Sequence, residues 1–306
     1  MTKPEAQALA EQRAAARAAR DFAESDRLRD AIADLGWLVT DTPEGFALAP
    51  KPAYDVLASP SGLPDRSSDP AARPASVQLV VDGWPEDLRR CIDALLAHTD
   101  FPIVGLDLGN VDGAGDVLHD YAAARPDRVE EWHLSGSAGW AQARTALAKA
   151  DPSDVLIWLE TSTVIDGDAL TPLLDVLASD DVVGAGWRGV DVMLEDDWRS
   201  FVDHDGAGEC DALLGYLAAW DRTALLAIGG PHPKARFYRN ADMELSLMLR
   251  ENGGRLIAVP DLPCHQERHR GYHDSDPDYR DKESRKTYDR ILQRFRGKTQ
   301  ILAPRA

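Results

Sequence analysis

The sequence predicts an α/β protein, a Rossmann-like and mostly parallel sheet flanked by helices, with a small N-terminal helical and hairpin unit ahead of it. Three observations carry this. Val155, Leu156, Ile157, Trp158 and Leu159 form an unbroken apolar run, the pattern of a central parallel strand covered on both faces. From Val77 onward, short apolar runs alternate with helix-period segments, which implies βαβ units joined by right-handed crossovers. Ahead of them Pro50, Pro52, Pro60, Pro64, Pro70 and Pro74 stand among Ser, Asp and Gly, the chemistry of a semi-extended linker. The expected division is a helical and hairpin unit over residues 1–49, a linker over 50–75 and the α/β domain over 76–306.

The first unit opens with EAQALAEQRAAARAARDF, rich in the good helix formers Ala and Arg. A second helix runs through SDRLRDAIADLG, with Ser25 as its N-cap and Gly36 as its stop. Phe22, Leu28, Ile32 and Leu35 supply one narrow apolar face. WLVTDTPEGFALA then alternates apolar and polar residues about a Pro-Glu-Gly turn, which reads as a hairpin. In the α/β part VQLVVD is the first strand. Leu88, Cys91, Ile92, Leu95 and Leu96 of PEDLRRCIDALLAHT then fall at helical spacing. IVGLDL is the second strand, with a helix through GDVLHDYAAA. VEEWHL is the third, with a helix over 139–150. VLIWLE is the fourth, and GDALTPLLDVLAS is its helix. VVGAGW and RLIAVP continue the sheet across an irregular stretch, and SRKTYDRILQRF closes the chain as a helix.

Composition narrows the function. The apolar fraction of 44% over 306 residues is that of a soluble globular protein. A net charge of -18 argues against a broad phosphate-tracking surface, so no nucleic acid is expected among the partners. No apolar run approaches the ~18 residues of a membrane span. The opening MTKPEAQALAEQR lacks the apolar middle of a secretory signal. Cys91, Cys210 and Cys264 are an odd, scattered set that implies no disulfide framework. A cytoplasmic address is expected.

Acids stand where consecutive strands leave the sheet, at Asp82, Asp107 and Glu160, and ligands of open α/β sheets sit outside the carboxyl ends of strands. The G-x-G-x-x-G of a nicotinamide-type site is missing after the first strand. In segment order, residues 77 to about 296 resemble a family-two glycosyltransferase with the GT-A fold. VQLVVDGWPEDLRRCIDALLAHT stands at that family's first strand and helix, and GLDLGNVDG at its Val-Asp-Asn-Gly-Ser-x-Asp turn. SAGWAQARTAL is similar to its Asn-x-Gly-x-Ala-x-Ala-Arg-Asn stretch, and IWLETSTVIDGDALTPLL to the strand ending in D-x-D. YRNADMELSLMLRENGGRLIAVPDLPCHQ resembles its Glu-Asp helix, the following strand and a closing His. The resemblance implies a nucleotide-sugar donor contacted by Asp82, Asp107, Gly139, Arg144, Glu160 and Ser162. It implies a divalent cation, Mn or Mg, on Glu160 and His265. It implies Asp242 as general base with Glu244 as its backup, and Trp198 among the contacts to a saccharide, lipid-linked or protein acceptor. Three departures accompany it. D-x-D reads Glu160-Thr161-Ser162, the Glu of Glu-Asp reads Ala241, and the Pro-x-Tyr-Asn start reads Val81-Asp82-Gly83-Trp84.

The N-terminal stretch ARAARDFAESDRLRDAIADLGWLVTDTPEGFAL resembles the C-terminal tail of cysteinyl-tRNA synthetases over about forty residues. The chain carries neither the His-Ile-Gly-His nor the Lys-Met-Ser-Lys-Ser signature of their catalytic domain. Each chosen residue also has a structural role to weigh. Asp242 suits a helix N-cap, Glu244 a first helical turn, Asp107 a strand-to-helix turn, and His265 a polar surface loop. The leading expectation is an inverting glycosyltransferase. The alternatives are a catalytically silent GT-A module that binds a nucleotide sugar or a partner, and an RNA-associated adaptor acting through Arg13, Arg17, Arg20, Arg27 and Arg29.

Overall fold

Apolar spacing builds two separate cores. The computed structural model describes residues 3–305 and divides into one compact unit ending at Asp55 and another beginning at Val56. In the first, helices α1 (Lys3–Ala18) and α2 (Phe22–Asp34) pack beside a hairpin of β1 (Trp37–Thr42) and β2 (Gly45–Pro50), registered from Trp37↔Pro50 to Thr42↔Gly45. Ala6, Ala10 and Ile32 are the buried centre, wrapped by Leu9, Leu35, Trp37, Val39, Phe46 and Leu48. The helix cap is Asp21, whose side chain accepts from Glu24 N–H, and not Ser25, which is buried inside α2. Both residue types cap well, and the helix starts one turn earlier than its apolar face. Phe22 therefore points outward, 60% exposed. Arg13 makes a two-pronged pair with Asp41, Arg17 lies 3.4 Å from the same acid, Arg27 pairs with Glu24 and Arg29 with Asp26. Four of the five arginines singled out for RNA thus face carboxylates.

The second unit holds β3 (Val56–Leu57), β4 (Arg73–Val81), α3 (Pro85–His98), β5 (Ile103–Asp107), α4 (Ala114–Ala124), β6 (Val129–Leu134), α5 (Trp140–Ala150) and β7 (Ser153–Leu159). Next come β8 (Thr163–Ile165), α6 (Thr171–Leu177) and β9 (Val182–Gly186). The irregular stretch then yields β10 (Gly189–Val192), β11 (Phe201–Asp203), β12 (Gly208–Glu209), β13 (Ala212–Leu213), β14 (Leu217–Asp221) and α7 (Arg222–Ala227). After it follow α8 (Ala241–Glu251), β15 (Arg255–Ala258), β16 (Cys264–Gln266), α9 (Arg270–His273) and α10 (Pro277–Phe295). The central sheet runs β12-β15-β9-β14-β7-β4-β5-β6-β3. β7, β4, β5, β6 and β3 run parallel to one another, while β14 lies antiparallel between β7 and β9. β14 is missing from the sequence-based expectation, because the short apolar run Leu217 to Trp220 carries no period of its own.

The linker expected over 50–75 is docked from Val56 on. Val56 pairs with His133, Leu63 is buried, and Arg66 N–H donates to the Lys149 carbonyl. Proline fixes φ without preventing such packing. Alternation on the central strands makes two cores. Val77, Leu79, Val81, Ile157 and Leu159 face α3 and α4 with Leu88, Ile92 and Leu118; Leu156 and Trp158 face α7 and α8 with Leu225, Leu245 and Leu249. A polar layer threads the second face. Buried Gln78 accepts from Trp158 Nε1 at 3.1 Å and donates to Asp151 at 3.0 Å, and its carbonyl accepts from Arg144 at 3.0 Å. No helix among the described residues is long and apolar enough to cross a membrane.

Candidate functional site

Because β4 and β7 are adjacent and parallel, the residues that follow them share one edge of the sheet. Asp82 follows β4, and the chain then turns through Trp84, held at φ 52°, into α3. Glu160 follows β7 and its N–H donates to the Tyr216 carbonyl, which ties the strand end to the lead-in of β14. Asn240, at φ 67°, starts α8 and sets Asp242 in the first helical turn. Asp242 is therefore not the helix cap. One of its oxygens accepts from Gly215 N–H and the other from Met243 N–H, both at 2.9 Å.

These groups meet at a cavity of about 250 Å³ lined by Trp140, Arg144, Trp158, Glu160, Tyr238 and Asp242, among others. A recess of about 40 Å³ shares Trp140, Arg144, Glu160 and Tyr238 and adds Asp82 and Ser162, so the two form one cleft. Trp140 and Trp158 stand edge to face with ring centres 5.7 Å apart, and the Arg144 guanidinium lies 5.0 Å over Trp158. Arg144 is only 2% exposed, and its Nε has no hydrogen-bond partner. The Ser162 hydroxyl, also buried, is likewise unpartnered. Two buried donors facing a cleft without partners are expensive unless a ligand satisfies them.

The three carboxylates titrate apart. Burial pushes Asp242 up to about 6, against its two backbone hydrogen bonds and helped by the Glu160 charge. Asp82 is open to solvent yet deep in the cleft, and the surrounding protein, then Glu160, pushes it up to about 7. Burial works against the Glu160 charge too, but the hydrogen bond and charge of His269 and the charge of Arg144 hold it below the usual range. Burial lowers Arg144 to about 10, against the pull of Glu160 and Asp82.

Several expected site residues lie elsewhere. Asp107 is 1% exposed and spent on Asn110 N–H at 2.8 Å and His133 Nδ1 at 3.1 Å, a turn anchor rather than a surface for a nucleoside. Glu244 forms a two-pronged pair with Arg290 at 2.7 and 2.8 Å and lines neither cavity. His265 sits on the two-stranded antiparallel sheet of β8 and β16, half exposed, bonded to Asp166 at 2.7 Å. Trp198 is 2% exposed in a core with Val192, Leu247 and Phe295. Gly139 caps α5 at an open groove, and it is the next residue, Trp140, that enters the cleft.

His269 takes the place expected of His265. Its Nε2 lies 3.2 Å from Glu160 and its Nδ1 2.8 Å from the Tyr238 hydroxyl. In CHQERHRGYH the residue order alone does not say which of His265, Glu267, His269 and His273 turns inward. Tyr238 and Arg239 carry no signal in the sequence pattern, since only the loop before α8 brings them to the cleft. Among the described residues no three His, Cys, Asp or Glu side chains group as a metal site. Glu160 and His269 offer one carboxylate oxygen and one imidazole nitrogen, with a neutral hydroxyl at Ser162. That set fits a hard divalent ion only where a ligand's own oxygens fill the rest of its shell.

The model of the family described as Glycosyl transferase family 2 matches residues 83–238, just over half of the chain. Among solved structures, GalNAc-T7 with UDP, GalNAc and Mn²⁺ superposes with a TM-score of 0.59 at 18% identity, over 72% of this chain and 48% of that one. The mannosyltransferase PcManGT from Pyrobaculum calidifontis, in complex with GDP-Man and Mn²⁺, gives 0.52 at 18% identity, over 73% of this chain and 63% of that one. Likeness at this identity shows the fold, a GT-A fold, and no more. The cysteine–tRNA ligase of Methylibium petroleiphilum is 70% identical over 33 residues, 11% of this chain and 7% of the ligase. That of Desulfovibrio desulfuricans is 57% identical over 42 residues, 14% of this chain and 9% of the ligase. The chain spans less than two thirds of the length of each of these four proteins.

Proposed function

The chain belongs to glycosyl transferase family 2, and from that premise we propose that it transfers a sugar from a nucleotide-diphosphate donor to an acceptor hydroxyl, with inversion. The observation that supports this most directly is Asp242, a buried carboxylate raised to about 6, facing Glu160, His269 and Arg144 across one cavity. A general base works best with a pKa near the working pH, and Asp242 is ionised at pH 7 yet more basic than an ordinary aspartate. Its two backbone donors fix its plane, so it can take a proton from an acceptor hydroxyl as the new bond forms on the face opposite the leaving diphosphate.

The leaving group gathers negative charge, which preorganised donors must meet. Arg144, buried and incompletely bonded, and the Ser162 hydroxyl are the donors already aimed into the cleft. Arg270 adds a half-exposed guanidinium at the rim, held by Asp87 at 2.9 Å. Glu160 and His269 would hold a divalent cation together with the donor's phosphate oxygens. When bound, such an ion supplies Lewis-acid stabilisation of the departing phosphate. Water is limited by the Trp140, Trp158 and Tyr238 walls. The three free cysteines, two of them buried, suit the cytoplasmic address we propose.

The test is release of nucleoside diphosphate from a panel of UDP- and GDP-sugars, with product configuration read by NMR. Both bases belong in the panel because GalNAc-T7 was solved with UDP and PcManGT with GDP-Man. A protein that binds these donors but turns over none of them is a silent GT-A module. A retained anomeric configuration would remove the inverting assignment.

A further inference from the structure

We propose that the groove beside the cleft receives an acceptor bearing an anionic group, a carboxylate or phosphate, and that Arg239 is its ligand; this deepens the transferase reading and rests on it. The groove measures about 440 Å³ and is continuous with the catalytic cavity through Tyr216, Tyr238, Arg239 and His269, which line both. Tyr272 and His273 add to a wall of rings, and aromatic faces suit the apolar faces of sugars.

Arg239 differs from the exposed guanidiniums near the cleft, since Arg268 is paired with Asp274 and Arg270 with Asp87, and from Arg144, which lacks an ion pair among the described residues but is buried. Arg239 is exposed, and no carboxylate lies within salt-bridge distance of it among the described residues. A phenol orients it instead. Its Nη1 donates to Tyr272 Oη at 2.7 Å and its Cζ lies 4.9 Å from the centre of the same ring, with Arg280 Cζ 4.5 Å from that centre. A guanidinium has five N–H donors, and here one is committed. In a chain of net charge -18, an oriented cation with donors to spare, three residues before Asp242, marks a place for a negative group. The acid lining the groove, Glu267, leans toward His265 at 3.7 Å. An acceptor lying along the tyrosines would put its anion on Arg239 and a hydroxyl near Asp242.

The experiment uses the full chain saturated with nucleoside diphosphate, titrated calorimetrically with glucose, glucuronate and glucose 6-phosphate. These probes differ only at one carbon. At least one anionic probe should bind about tenfold or more tighter than glucose. Arg239→Gln should bring that ratio close to one, and Arg239→Lys should keep part of it. Equal binding of all three probes, binding of none, or a ratio that survives Arg239→Gln overturns the proposal. If Arg239→Gln weakens nucleoside diphosphate and leaves the ratio intact, the guanidinium serves the donor and the acceptor assignment falls. Failure of the parent protein to bind any nucleoside diphosphate sinks the transferase reading and this proposal together; the other outcomes sink this proposal alone.

Discussion

Replacing Asp242 with Asn should separate catalysis from folding, because the proposed base is also a buried group whose titration bears on stability. Burial raises it from an ordinary value of 3.8 to about 6. The folded protein thus holds this proton more tightly than the unfolded chain. Stability from this group is fully present below about pH 4 and is lost as pH rises through about 6. Two units correspond to about 3 kcal/mol. Asn carries no charge at any pH, so the variant should lack that loss. It has a cost of its own: an amide has one acceptor oxygen, while Gly215 and Met243 each present an N–H, so one buried donor loses its partner. That costs about 1–3 kcal/mol at every pH. Urea unfolding should therefore find Asp242→Asn clearly destabilised at pH 4 and close to the parent at pH 8. Asp82 also titrates, near 7, but it is present in both proteins and cancels in the difference. Turnover should fall ~10²–10⁴-fold with donor binding kept, while the parent gains activity as pH rises through about 6. A stability difference that ignores pH, or turnover within a few-fold of the parent, would refute the reasoning.

Glu160→Ala should abolish cation-assisted nucleotide binding, and Ser162→Asp should create Mn²⁺ binding without nucleotide; calorimetry reads both, and an unchanged Glu160→Ala would place the ion elsewhere. Glu244→Gln should destabilise by about 3 kcal/mol, because it strips a buried partner from Arg290. Its turnover per folded molecule should stay near the parent's, and loss of turnover without loss of stability would return Glu244 to the catalytic list. A fragment starting at Val56 should bind nucleoside diphosphates as tightly as the full chain, since every cleft residue lies beyond that point. A folded fragment with weakened binding would refute the separation.

What could be read from the sequence was whatever is encoded in local period. Apolar runs mark β4 through β7, helical spacing marks α3, and the strand ends bring Asp82 and Glu160 to one edge. Partners distant in the chain were invisible. Glu244 meets Arg290 across 46 residues, Asp107 meets His133 across 26, and Glu160 meets His269 across 109. Placing His269 rather than His265 at the cleft depends on the pairing of Cys264–Gln266 with Thr163–Ile165, which sets His265 against Asp166 and is not encoded in local period. Trp198 sits in an irregular stretch, where nothing in the residue pattern tells a core tryptophan from one that faces a ligand. The antiparallel β14 has the same cause: its four apolar residues, Leu217 to Trp220, fit strand or helix equally.

The cleft gathers three acids on one ligand-sized space, and environments that push neighbouring carboxylates apart assign them different work. Glu160, against His269 and Arg144, is held ionised below the usual range, which suits a fixed negative charge facing a cation or a cationic side chain. Asp242 has only neutral backbone donors, so burial dominates and leaves it basic enough to take a proton. Asp82 sits nearest neutrality and is open to solvent, so it can change charge as a donor arrives. The His269 hydrogen bond, more than any other contact, sets Glu160 below the other two acids, and the Arg144 charge adds to it while also drawing Asp82 down. Arg144 is in turn fixed by the Gln78 carbonyl, in the polar layer that also holds Trp158. The Gln78 backbone thus places Arg144 while its side chain holds Trp158, so one buried residue sets two walls of the same cleft.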